Sequence, residues 1–99
     1  MVKHIVMWCF KDEMSPEERK AAGVKIKEGL EGLVGVVPGL KSACVVVEPI
    51  STSTHDLSLI TEFETAEDLK AYATNPDHVK VATFVRSVTC NRACMDYAE

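Results

Sequence analysis

The amino-acid sequence predicts an α+β fold, an antiparallel four-stranded sheet with helices on one face only. Three observations carry that expectation. Segments of alternating pattern and segments of helical spacing follow one another as strand, helix, strand, strand, broken helix, strand. Capping residues stand in front of the helical segments, and proline or glycine closes several elements. The first strand is apolar on both faces, so each of its faces needs cover.

The elements follow in order. In Val2 to Phe10 (VKHIVMWCF), His4, Val6, Trp8 and Phe10 point one way and Ile5, Met7 and Cys9 the other. Residues 11–14 are a polar connection. Ser15-Pro16-Glu17-Glu18 is a helix start, with Ser15 as N-cap, Pro16 at the first helical position and Glu18 at the third. The helix is expected to bury Ala22, Ile26, Leu30, Leu33 and Val37 and to stop at Pro38-Gly39. Gly23, Gly29 and Gly32 each weaken it by roughly 1 kcal/mol relative to alanine, so packing must hold it.

Leu40 to Glu48 is the second strand, closed by Pro49, and residues 50–54 form a polar loop. His55 to Glu64 is the third, with Leu57, Leu59, Thr61 and Phe63 on one face. Thr65 caps a helical segment that runs to about Asn75 and places Leu69, Tyr72 and Ala73 on its apolar side. Asp77 to Val88 continues it at a new angle, and Thr89 to Ala98 is the last strand. This βαββαβ order is the ferredoxin-like arrangement, as a single domain over residues 1–99. Its helices cover one sheet face. The other face needs a second layer, and a second copy of the chain is the simplest supplier, packing sheet on sheet.

Composition bounds the function. A hydrophobic fraction of 46% with 26% charged residues is that of a soluble globular protein. A net charge of −4, with eleven scattered Lys and Arg, argues against a nucleic-acid partner. The apolar run at the start is short and interrupted by His4, so no signal peptide is expected. No stretch approaches the roughly 18 to 20 apolar residues of a membrane span. A cytoplasmic location without membrane contact is the expectation. Cys9, Cys44, Cys90 and Cys94 form no C-x-x-C pair. On a regular strand Cys90 and Cys94 share a face roughly 13 Å apart, too far for one disulfide or one zinc ion, so reduced thiols and no metal are expected.

The candidate site centres on AYATNPDHVKVATF, where Asn75 and Pro76 stop one helix and restart another. From Pro76 or Asp77 onwards, His78, Val81, Ala82 and Val85 share the buried face, so the His78 ring points between helix and sheet. On the first helical turn the unpaired N–H groups and the dipole disfavour a positive charge, which favours a neutral, proton-accepting imidazole. Tyr72 lies on the preceding segment, and a buried tyrosine hydroxyl needs a partner. His78, just across the bend, is the expected one. His4 shares its strand face with Val6 and Trp8.

The segments VKHIVMWCFKDE, VPGLKS, HDLSLITEFETAEDLKAYATNPDHVKVATFV and MDY resemble the stress-responsive A/B barrel (Dabb) domain family over essentially the whole chain. The most specific element is F-E-x-x-E-D-L-x-x-Y-x-x-x-P-x-H. The resemblance implies a protomer whose sheet joins that of a twofold partner in a dimeric α+β barrel. It leaves activity open, because many members have no assigned role. Some plant members resemble polyketide cyclases, and related barrels include cofactor-free oxygenases and haem enzymes.

In the cyclase-type members the tyrosine and histidine of the Y-x-x-x-P-x-H motif carry acid–base chemistry, and by resemblance these are Tyr72 and His78. A first-strand histidine lines the same pocket and corresponds to His4. The cyclase-type site also has a third-strand histidine, and Leu57 stands there in this chain. His55, two residues earlier, is expected at the surface, and Asp56 and Asp96 in edge or loop contacts.

Two readings of the pair follow. In one, Tyr72 and His78 form a structural hydrogen bond that fixes the bend. In the other, His78 is a general base assisted by Tyr72, with His4 positioning a substrate. The expected protein is a homodimer of unassigned biochemical activity. Each protomer has a pocket for a small apolar or aromatic ligand near His4, Trp8, Tyr72 and His78, needs no cofactor, and leaves Trp8 to decide how much room remains. The alternatives are a cofactor-independent cyclase-like or isomerase-like enzyme, or an oxygenase-like relative.

Overall fold

β1 (Val2–Phe10) lies inside the sheet because both of its edges are taken. The computed structural model describes all 99 residues. In it β1 pairs antiparallel with β3 (Leu57–Phe63) on one side and β4 (Thr89–Ala98) on the other. β2 (Leu40–Val46) adds to the far edge of β3, giving the order β2-β3-β1-β4. The helices α1 (Pro16–Glu31), α2 (Ala66–Thr74) and α3 (Pro76–Val88) cover one face. This is the predicted βαββαβ arrangement with its second helix in two pieces.

α1 begins as its sequence dictates. The Ser15 side chain accepts from the Glu18 N–H, Glu18 reaches back to the Ser15 N–H, and Pro16 occupies the first turn. The helix ends at Gly32, earlier than the expected stop at Pro38. Leu33 and Val37 continue the apolar spacing and are buried, but they lie in turns rather than in the helix. Periodicity therefore located the core while overrunning the helix. Gly29 has a packing role, since a Cβ there would come within 2.9 Å of Val81 on α3.

At the sheet's edge, Glu31 accepts from the Val45 N–H and Lys27 donates to the Val45 carbonyl. Those two helix side chains occupy an open rung of β2, which otherwise invites another strand. Ala22, Ile26 and Leu30 of α1 join Val6, Phe10, Leu57, Leu59 and Phe63 in one core between helices and sheet.

The outer sheet face is uncovered and largely apolar, with the Lys3–Glu62 ion pair at one end. Ile5 stands between Ile60 and Met95, and Met7 beside Ala93. Ile60 is 39% and Met95 67% exposed. This is the surface expected from the two-faced apolar character of β1. No helix of the chain is long and apolar enough to cross a membrane.

β4 departs from the expected pattern. Met7 pairs with Ala93 and Cys9 with Cys90, so two residues, Asn91 and Arg92, face the single Trp8. Asn91 has a φ of 52°, the left-handed region that asparagine tolerates better than most residues. This bulge inverts the alternation beyond it. Cys90 stays on the outer face beside Cys9, whereas Arg92, Cys94 and Asp96 turn toward the helices. The expectation that Cys90 and Cys94 share a face is thereby corrected.

Asn91 should be replaceable by glycine at little cost, whereas Asn91→Val should destabilise by about 1 to 2 kcal/mol. Urea unfolding of the two variants checks this.

Candidate functional site

The bend between α2 and α3 is held by Asn75. Its backbone is extended (φ −62°, ψ 129°), as the residue before a proline prefers. Its N–H closes α2 on the Tyr72 carbonyl. Its side-chain oxygen opens α3 by accepting from Asp77 at 2.9 Å and from His78 at 3.4 Å. One residue therefore caps both helices.

That arrangement removes the structural task foreseen for Tyr72 and His78. Their rings lie face to face, centroids 3.9 Å apart and 31° from parallel. They make no hydrogen bond to each other. The Tyr72 hydroxyl and the His78 Nδ1 are both buried without any partner. The expected Tyr72–His78 hydrogen bond is thus replaced by tilted ring-on-ring packing.

Burial acts on both groups. It pushes the Tyr72 phenol up to about 12, so the hydroxyl keeps its proton. It lowers the His78 imidazole from its ordinary value, and the nearby His4 and Arg86 add to that effect. The carbonyls of Ala73 and Tyr72 lie near enough to favour the charged ring, yet neither meets its Nδ1 in a hydrogen bond. Near neutral pH the pair is a proton donor stacked on a proton acceptor.

The ring of Tyr72 also meets Phe63 at 5.0 Å and His4 at 6.2 Å, both edge-on. His4 donates from Nδ1 to Asp96 Oδ1 at 2.5 Å, and its carbonyl accepts from Thr61. Asp96 therefore sits in the site rather than in the edge contact expected of it, because the Asn91 bulge turned it inward. Asp56, the other carboxylate expected in an edge or loop contact, accepts from the Phe10 N–H. His55 is half-buried in the loop before β3 and meets the Thr54 hydroxyl.

His4, Trp8, Tyr72 and His78 all line one cavity of about 530 Å³ between sheet and helices. That size falls among small-molecule sites. Trp8 is 7% exposed and forms part of the wall, leaving the space open. Leu59 lines it too, whereas Leu57 does not. Periodicity missed Arg86, Arg92, Cys94 and Asp96, which also line it. Arg86 lies four residues beyond Ala82 and was within reach of the helical pattern, whereas the three β4 residues were hidden by the bulge.

His4, Cys94 and Asp96 place one donor atom each within 4.8 Å of one another. The Cys94 sulfur is 3.5 Å from Asp96 and 3.7 Å from His4, and burial, followed by the Asp96 charge, raises its thiol. A tetrahedral ion with bonds near 2.0 Å would hold nitrogen and carboxylate oxygen roughly 3.3 Å apart. The His4–Asp96 pair is already closed at 2.5 Å and would have to part.

An antiparallel sheet with helices on one face and a polar-tipped cavity between them defines a ferredoxin-like protein with a small-molecule-sized site. The chain belongs to the stress responsive A/B barrel domain family (Dabb), whose pattern matches residues 2–99. It is similar to a dimeric ferredoxin-like protein of unknown function from Bacteroides fragilis, at 31% identity and a TM-score of 0.92 over 99% of this chain and 95% of that one. A dimeric ferredoxin-like protein of unknown function from Thermobifida fusca aligns at 17% identity and a TM-score of 0.82, over 99% and 90% of the two chains. A hydroxynitrile lyase from Passiflora edulis shares the fold at 14% identity and a TM-score of 0.73, over 97% and 90%. No functionally curated protein sequence matches the chain.

Proposed function

We propose that the chain forms a homodimer in which each protomer takes up a small, mostly apolar molecule and moves a proton on it without a cofactor. One observation carries the reading: Tyr72 and His78 both line the cavity, and their Oη and Nδ1 atoms are buried without a hydrogen-bond partner. A buried polar group without a partner costs roughly 1 to 3 kcal/mol. A guest that reaches these atoms as the two side chains shift, and supplies the missing partner, recovers that cost. Since Asn75 holds the bend, this cost has no structural use.

The chemistry follows from the protonation states. The neutral His78 accepts a proton from a carbon next to a carbonyl and becomes imidazolium. The electron pair left behind moves onto the carbonyl oxygen, where the Tyr72 hydroxyl, still protonated, donates a hydrogen bond. His4, oriented by Asp96, lies across the cavity and adds a second polar contact. Return of the proton to the same carbon exchanges it with solvent, and its delivery to another carbon of the conjugated anion completes an isomerisation.

The dimer rests on the outer sheet face and on the dimeric relatives. We place the protein in the cytoplasm, with which its four free cysteines accord.

Acetophenone is a fitting probe, as its α-protons exchange slowly unaided. In deuterated buffer the protein should accelerate their loss, and His78→Gln should reduce that acceleration by about 10² to 10⁴-fold. His78 must be neutral to act and burial lowers its pKa, so the rate should hold through neutrality and fall at a midpoint below about 6.5. Exchange that His78→Gln leaves untouched excludes this mechanism. The dimer is tested separately by sedimentation at micromolar concentration: the wild type should run as a dimer and Ile60→Lys should shift it toward monomer. A wild type that runs as a folded monomer removes the sheet-on-sheet partner.

A further inference from the structure

The cavity's charge is opposite to that of the chain. The sequence carries 15 acidic and 11 basic side chains, yet Lys70, Arg86 and Arg92 line the cavity against the single carboxylate of Asp96. Asp96 is already engaged by His4. The chain's ion pairs are made by Lys3, His4, Arg19, Lys27 and Lys41, so Lys70, Arg86 and Arg92 have no ionic partner. Two of the three arginines in the sequence, Arg86 and Arg92, line this cavity, both at its exposed side.

Each arginine is brought to the cavity by a specific feature of the backbone. Arg86 stands two helical turns beyond His78 on α3, on the same face as Ala82 and Val85. Arg92 is turned inward by the bulge at Asn91; in a regular strand the alternation set by Thr89 and Cys90 would place it on the outer face. Guanidinium groups hold carboxylates through paired, charge-assisted hydrogen bonds, a geometry an ammonium group lacks.

We infer that the ligand of this cavity is an amphiphilic acid: an apolar or aromatic body that lies against Trp8 and Leu59, with a carboxylate held by Arg86 and Arg92. The inference rests on the cavity's being a ligand site and sets anions above neutral molecules such as acetophenone in its preference. The same two cations would stabilise negative charge developing on the substrate as His78 removes a proton.

The probe pair is 2-naphthoate and its neutral isostere 2-naphthamide, followed by calorimetry and by the His78 ring resonances. Naphthoate should bind about tenfold or more tightly than the amide, and the difference should shrink as salt rises. Arg86→Gln and Arg92→Gln should each reduce that preference. Lys80→Gln, which removes a cation of α3 outside the cavity, should leave it unchanged. Equal affinity for acid and amide, or a preference that survives both arginine substitutions, overturns the inference while leaving the ligand pocket in place. If neither compound shifts the His78 resonances, both the inference and the pocket reading fall.

Discussion

At Asn75 the chain must close one helix and open another within a single residue. Pro76 has no N–H to continue α2, and its ring keeps Asn75 out of the helical region. The residue before it therefore needs an extended backbone, a free N–H for the last turn of α2 and a side-chain acceptor for the first turn of α3. Asparagine supplies all three, through the Tyr72 carbonyl on one side and the Asp77 and His78 amides on the other. The rest of the site depends on this double cap. It fixes the angle that stacks the His78 ring on Tyr72, and it does so without using either side chain. Neither side chain is spent on the bend.

The second determinant is the sheet. Its inner face, through Val6, Leu59 and Phe63, packs under the helices, while the cavity opens beside the exposed β4 residues Arg92, Cys94 and Asp96. The bulge at Asn91 decides what that cavity contains. By inserting one residue opposite Trp8 it turns Arg92, Cys94 and Asp96 inward, giving His4 its carboxylate and an apolar space its cations. The same inversion leaves Ala93, Met95 and Tyr97 on the outer face with Ile5 and Ile60, so one extra residue shapes both the pocket and the surface opposite it.

Much of this was legible in the residues. β1 and β4 have the bounds their composition suggests, and the Ser15–Glu18 capping box is formed. The His4 face of β1 and the His78 face of α3 were readable because strand and helix periods are strict over whole elements. Two features were not. Leu33 and Val37 keep helical spacing although Gly32 has ended the helix, because buried turns can satisfy the same apolar rhythm. The bulge was invisible because T-C-N-R-A-C-M-D mixes small, polar and apolar side chains on both parities, so no contrast marks the slip. The asparagine in mid-strand was its only trace. The ring geometry of Tyr72 and His78 was also beyond the sequence, since proximity across a bend is compatible with either a hydrogen bond or a stack.

The central claim is that the Tyr72 hydroxyl serves no structural purpose in the empty protein, and a stability measurement on Tyr72→Phe tests it most directly. Urea unfolding of the ligand-free variant should show stability unchanged or raised by about 1 kcal/mol, because a buried donor without a partner has been deleted. A loss of about 1 kcal/mol or more would mean that the hydroxyl holds the fold together, contradicting the account.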